Sequence, residues 1–335
     1  MMAKLSAKQK LFLGLGIGLG ILAYLVCASL AVIAVLARPS EAQSYRDAGY
    51  QKYLAGDYEG AIADYDLALT LDANSSVAYN NRGAAKLELG DYEGAMADFA
   101  VAIRLADTFS DAYNGRGLAK SNLGDEEGAI ADYDRAIALE PDFALAYSNR
   151  GFAKYRLADY EGALVDFTAA IRYDEALPQA YNGRGLAKSD LGDYEGALVD
   201  FDKAIELRPE YALAYYNRGR AYHDLGEYET AVADYDLALA LPLNTQDAIV
   251  AYVSRGVAKN KLGDYAGAVA DFDAAIEQGS LIAYVERGHT YYLLDEFELA
   301  LADFEAYLER SDDELPNWAR PTYREVQAQV DSSED

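Results

Sequence analysis

The side chains that could carry bond-making chemistry are few: His223 and His289 are the only histidines and Cys27 is the only cysteine. Nucleophilic catalysis of the Ser-His-Asp or Cys-His kind needs a base beside the nucleophile and a third group to orient it. A site of imidazoles or thiolates around a metal needs three or four such ligands within reach. Two histidines far apart and one thiol inside an apolar stretch supply neither. Carboxylates are abundant, but Asp64-Tyr65-Asp66 and its counterparts return at a fixed spacing and lack the glycine and downstream ligands of a calcium loop. No phosphate-cradling glycine loop is present either. The sequence predicts no catalysis, no cofactor and no bound metal.

The charges that do recur form a pattern of another kind. An Arg is followed four residues later by a Lys and sixteen residues later by an Asp, as in Arg82, Lys86 and Asp98. The Arg and Asp return as Arg116 and Asp132, Arg150 and Asp166, Arg184 and Asp200, and Arg218 and Asp234. On a helix, like charges four apart share a face and repel unless an acid lies between them. The spacing therefore predicts Arg–Asp bridges that tie two helices together, within one helical hairpin or between neighbouring ones. An Arg ladder reaching a ligand is the alternative, weakened by how closely the Asp tracks it.

These charges sit in a repeat. A glycine recurs at Gly49, Gly83, Gly117, Gly151, Gly185, Gly219, Gly256 and Gly288, mostly 34 residues apart. In the second copy Tyr79, Gly83, Ala95, Phe99 and Ala102 fall on two apolar helical faces separated by the turn Leu89-Gly90-Asp91. The acid at the start of each second helix (Asp57, Asp91, Asp125, Asp159, Asp193, Glu227, Asp264, Glu296) is a predicted N-cap, which also suits the positive end of the helix dipole. With the aromatic at the fourth place, small residues at the eighth and twentieth and an aromatic at the twenty-fourth, the unit resembles the tetratricopeptide repeat (TPR). That resemblance implies an all-α fold, a right-handed superhelical solenoid of helix-turn-helix hairpins whose first helices line a concave groove. Arg at the seventh place, where the family generally has Leu, and Lys at the eleventh depart from its usual pattern.

The expected organisation is a basic segment at 1–10, a single transmembrane helix at 11–37 and a linker at 38–41. Eight repeats follow over 42–314 (42–75, 76–109, 110–143, 144–177, 178–211, 212–248, 249–280 and 281–314). The stretch 315–335 contributes a capping helix from about Pro321, with Tyr323, Val326 and Val330 on one face, and a disordered acidic tail. The uncharged run from Leu11 to Ala37 exceeds the ~20 residues needed to cross a bilayer and is longer than a signal peptide's apolar core. Lys4, Lys8 and Lys10 ahead of it predict a single-pass membrane protein with a cytoplasmic N-terminus and extracytoplasmic repeats. Cleavage and secretion, or repeats facing the cytoplasm, are the alternatives.

Residues that vary between copies are the expected partner-binding positions, because packing fixes the rest. They are Asn81, Asn149, Phe152, Tyr155, Arg156, Tyr216, Asn217, Arg220 and His223, richest in aromatic and Arg side chains in repeats 4 to 6. Asn and Gly alternate at the sixth place (Asn81, Gly115, Asn149, Gly183, Asn217), and Asn can both donate to and accept from a peptide backbone. A net charge of −27 makes nucleic acid an improbable partner, since phosphate binding needs clustered cations. A protein or peptide ligand that is neutral or basic rather than acidic is expected. The functional expectation is a membrane-anchored scaffold without catalysis, with self-association through anchor and solenoid as its alternative.

Overall fold

The computed structural model describes residues 41–311 and 313–334. All regular structure among them is helical. The described residues divide into two compact units, one ending at Pro141 and the other beginning at Asp142. The first holds α1 (41–54), α2 (Tyr58–Leu71), α3 (Ser76–Glu88), α4 (Tyr92–Leu105), α5 (Ser110–Asn122) and α6 (Glu126–Leu139). The second holds α7 (Ala144–Arg156), α8 (Tyr160–Tyr173), α9 (Pro178–Asp190), α10 (Tyr194–Leu207), α11 (Ala212–Asp224) and α12 (Tyr228–Ala240). It continues with α13 (Thr245–Leu262), α14 (Tyr265–Glu277), α15 (Ile282–Leu293), α16 (Phe297–Arg310) and α17 (Arg320–Glu334). Each unit is a stack of helical hairpins in which every helix packs on the helices before and after it.

The hairpins close because small residues face rings. Tyr65, Phe99 and Tyr133 in the first unit and Phe167, Phe201, Tyr235, Phe272 and Phe304 in the second are fully buried. The glycine at the eighth place lies flat against that ring: a Cβ on Gly117 would come within 2.7 Å of Tyr133, and one on Gly185 within 2.6 Å of Phe201. Alanines fill the remaining close approaches at zero exposure, among them Ala95, Ala102, Ala163 and Ala170. Close packing of this kind leaves no room for an added methyl group.

Six of the eight acids at the second-helix start cap it. Asp57, Asp91, Asp125, Asp159, Asp193 and Asp264 each accept a hydrogen bond from the backbone N–H of a glycine three residues on, at 2.9–3.0 Å. Glu227 and Glu296 do not, which corrects the expectation of eight caps. Glu is one methylene longer than the Asp that caps the other six helices. In the Asp repeats the capped residue is a glycine, and a Cβ on Gly60 would sit 2.1 Å from the Asp57 carboxylate as placed. The two Glu repeats carry Thr230 and Leu299 at that place.

The second unit ends on α17, whose Val326 is fully buried and whose Tyr323 ring stands edge-on to Phe304 at 5.8 Å. The helix runs on to Glu334, through residues expected to be disordered. The single-pass membrane localisation expected from the sequence is also corrected. Among the described residues no helix is long and apolar enough to cross a membrane. The apolar run at 11–37 that carried the expectation, together with the segment at 1–10 and most of the linker, lies outside the described residues.

Candidate functional site

The recurring charges form closed clusters inside the hairpins. Arg82 donates through Nε and Nη2 to the two oxygens of Asp98 at 2.8 and 2.6 Å, and Lys86 Nζ lies 2.7 Å from the same carboxylate. The arrangement repeats with Arg116 and Lys120 on Asp132, Arg184 and Lys188 on Asp200, and Arg255 and Lys259 on Asp271. It is present again with Arg150 and Lys154 on Asp166, and Arg218 meets Asp234 at 2.7 Å. Some guanidinium groups also reach back to the previous hairpin: Arg82 to Asp66 at 2.5 Å, Arg218 to Asp202 at 2.6 Å and Arg255 to Asp236 at 2.5 Å. Arg116 and Arg184 have no such second acid because Ala100 and Thr168 stand there. Each of these Arg residues further lies over the Tyr three residues before it, as Arg184 does over Tyr181 at 5.5 Å. Its carboxylate partners raise the pKa of Arg218 beyond its already high ordinary value. Within these clusters the cations and carboxylates satisfy one another.

The sixth place is also explained by packing. Gly115 and Gly183 lie against Phe99 and Phe167 of the preceding hairpin, and a Cβ there would meet the rings at 2.5 and 2.4 Å. Asn81 instead sits beside the Tyr65 phenol, whose pKa burial pushes up to about 12 against the opposing influence of Asn81. Asn217 is buried and donates to Asn182 Oδ1 at 2.9 Å, joining α11 to α9, so it presents nothing to an open surface. Phe152 likewise packs edge-on to Phe167 at 4.8 Å. Glycine thus stands where Phe99 and Phe167 press closest, whereas Asn217 follows Phe201, so the kind of ring alone does not set the residue at this place. Asn149 is half-buried on α7, and Arg156 is exposed at that helix's end.

Further along the first helices, the ninth, twelfth and thirteenth places come together. Tyr155 of α7 donates to Asp190 of α9, and Arg220 of α11 approaches the other oxygen of Asp190 at 3.4 Å. Burial, then this hydrogen bond to Asp190, pushes the Tyr155 phenol up to about 12. Beside this cluster Tyr216, Arg220, His223, Val253, Ser254 and Val257 line a pocket of about 160 Å³ between α11 and α13. Tyr216 Oη and Ser254 Oγ are 3.4 Å apart across it, and His223 stands edge-on to Tyr228 at 5.2 Å.

Val257 is shared with a second pocket, of about 330 Å³, between α13 and α15. Asn260, Lys261, Glu286, His289, Leu293 and Trp318 complete its wall. Its polar groups are poorly satisfied. Asn260 spends its amide N–H on Thr290 Oγ1 at 2.8 Å and leaves Oδ1 buried without a partner, as is His289 Nδ1. Burial raises the Glu286 carboxyl to about 7, with Lys261 opposing the shift, and burial followed by the Lys261 charge lowers His289. The Trp318 ring stands edge-on over His289 at 5.9 Å and is half exposed. Sequence reasoning missed this pocket, although a Glu at the sixth place, where copies two to seven carry Asn, Gly or Ser and the first carries Asp47, was a visible signal. Among the described residues no group of three or more His, Cys, Asp and Glu is placed to hold a metal ion.

Comparison with known proteins bears on the architecture. Residues 122–157 and 188–226 match the model described as TPR repeat, and residues 76–109, 212–241 and 254–314 match models described as tetratricopeptide repeat. No curated protein matches the chain in sequence. Among solved structures, the APC/C hetero-tetramer Cut9-Hcn1 is similar with a TM-score of 0.67 at 15% identity over 80% of this chain and 52% of that one. This chain therefore spans about half the length of that relative. A tetratricopeptide repeat protein from Parabacteroides merdae is similar with a TM-score of 0.57 at 21% identity, over 75% of this chain and 99% of that one. At these identities the likeness speaks to the fold alone. Together with matches over more than half of the sequence and the ring-on-glycine hairpins, it places the chain in the tetratricopeptide repeat family.

Proposed function

We propose that this protein is a non-catalytic interaction scaffold that takes an extended segment of a protein partner along α11, α13 and α15. Tetratricopeptide repeat proteins generally mediate protein–protein interaction or assembly. The observation that carries the proposal here is the pair of adjoining pockets that share Val257, lined from Tyr216 to Trp318 by side chains outside the Arg–Lys–Asp clusters. Pockets with apolar walls and a few unsatisfied polar groups are where binding energy concentrates. Tyr216, Arg220 and His223 belong to this face, whereas Asn81, Phe152 and Asn217 serve packing.

The test is selection of extended peptides from a random display library on the full chain, followed by binding to variants. Val257→Arg and His223→Ala should each weaken a selected peptide at least tenfold, while Val199→Arg, on the exposed side of α10, should not. Equal binding by all three variants would remove the proposed face. Concentration-dependent assembly in sedimentation, with no peptide selected, would favour the self-associating role instead.

A further inference from the structure

We propose that the pocket between α13 and α15 receives a Lys or Arg side chain of the bound segment, with its cationic head at Glu286 and its aliphatic stem under Trp318. This rests on the peptide-binding role above and names the chemistry of one of its subsites.

Two acceptors in the pocket, the Glu286 carboxylate and Asn260 Oδ1, lack a donor. Among the described residues the Glu286 carboxylate makes no ion pair or hydrogen bond, unlike the Asp98 and Asp132 carboxylates in their closed clusters. Asn260 Oδ1 is a buried acceptor without a partner while its amide nitrogen donates to Thr290 Oγ1, and His289 Nδ1 is buried and unpaired. A guanidinium or ammonium group supplies several donors and a positive charge at once. Val257, Leu293 and the half-exposed Trp318 ring offer the apolar wall that a long basic side chain lays its methylenes against, and the indole face attracts the cation. A volume of about 330 Å³ accommodates one such side chain with room for its head.

Lys261 is the opposing feature. It is exposed at the rim, and its charge is screened there far more than that of the buried carboxylate. The protein's net charge of −27 adds a long-range field that draws cationic segments in. The groups that face Glu286 are Lys261 from α13 and His289 from its own helix, while Glu325 of α17 approaches Tyr292 nearby. With its carboxyl raised to about 7, Glu286 is about half protonated at pH 7 when the pocket is empty, so binding a cation is linked to loss of that proton.

Trp318 is the only tryptophan in the chain, so its emission reports occupancy directly. The probe is a set of twelve-residue Gly/Ser/Ala peptides that differ at one central position: Arg, citrulline or Glu. Titrated into the full chain at pH 7.5, the Arg peptide should change Trp318 emission and bind at least tenfold more tightly than the citrulline peptide. Because only the ionised pocket is competent, its affinity should fall roughly 20-fold between pH 7.5 and 5.5. Glu286→Gln should abolish both the Arg preference and most of that pH dependence; what remains belongs to His289. Preference for the Glu peptide would overturn the proposal and make Lys261 the selecting group. Equal binding of Arg and citrulline, or no response to Arg at millimolar concentration, would also overturn it. If display-selected peptides still lose affinity to Val257→Arg and His223→Ala in that case, the peptide-binding face stands without this subsite.

Discussion

Replacing Glu286 by Gln should stabilise the empty protein, and by an amount that grows with pH. Burial lifts this carboxyl from an ordinary value near 4.5 to about 7 in the folded state. Below about pH 4.5 the residue is protonated folded and unfolded, and Gln is nearly its equal in shape and polarity. As pH rises the unfolded chain gives up the proton first, so the folded state of the wild type loses stability until pH passes about 7 and the loss is complete. At about 1.4 kcal/mol per pH unit, and allowing for the solvent that reaches the pocket mouth, the full cost is roughly 2–3 kcal/mol. Urea unfolding followed through Trp318 reads the hairpin concerned, which matters because repeat arrays need not unfold in a single step. Working above the isoelectric point near 4.3, Glu286→Gln should gain about 1 kcal/mol at pH 5.5 and 2–3 kcal/mol at pH 8.5. An equal gain at both pH values, or a loss at pH 8.5, would refute the claim that this carboxylate lacks an internal partner.

Three further perturbations test the scaffold. Gly183→Ala would ordinarily strengthen a helix by ~1 kcal/mol. With a Cβ forced to 2.4 Å from the Phe167 ring it should instead destabilise by about 1–3 kcal/mol in chemical denaturation. Asp166→Ala strands Arg150 and Lys154, both mostly buried, and should cost about 3–5 kcal/mol, readable as a fall in the denaturation midpoint. Ala158 occupies the left-handed turn, φ 60°, that glycine fills in six other copies, so Ala158→Gly should raise stability by about 1 kcal/mol and the melting temperature with it.

The period, the helix starts and the small-on-ring packing were legible because each is set within one copy and repeated. The Arg and Asp sixteen apart face each other for the same reason: one hairpin contains both. What escaped depends on contacts between copies. The alternation at the sixth place reads as surface variety until Phe99 and Phe167 are seen beneath Gly115 and Gly183. One local feature escaped as well: Glu227 and Glu296 do not make the cap bond that the shorter Asp makes in the other six copies. Glu286 is one acid among 56, and only its place in the fold, near a Trp318 contributed by the segment after the last hairpin, distinguishes it. Asn217 was misjudged because Asn suits an open groove and a buried amide ladder equally well by composition.

The central claim is that the first-helix face of the second unit holds an extended segment of a partner. Hydrogen–deuterium exchange and paramagnetic broadening, measured on the full chain with a display-selected, spin-labelled peptide, test it most directly. The account predicts broadening centred on Tyr216, His223, Val257 and His289, with α10, α12 and α14 unaffected on their outer sides. Broadening confined to those second helices, or spread evenly over both faces, would contradict it.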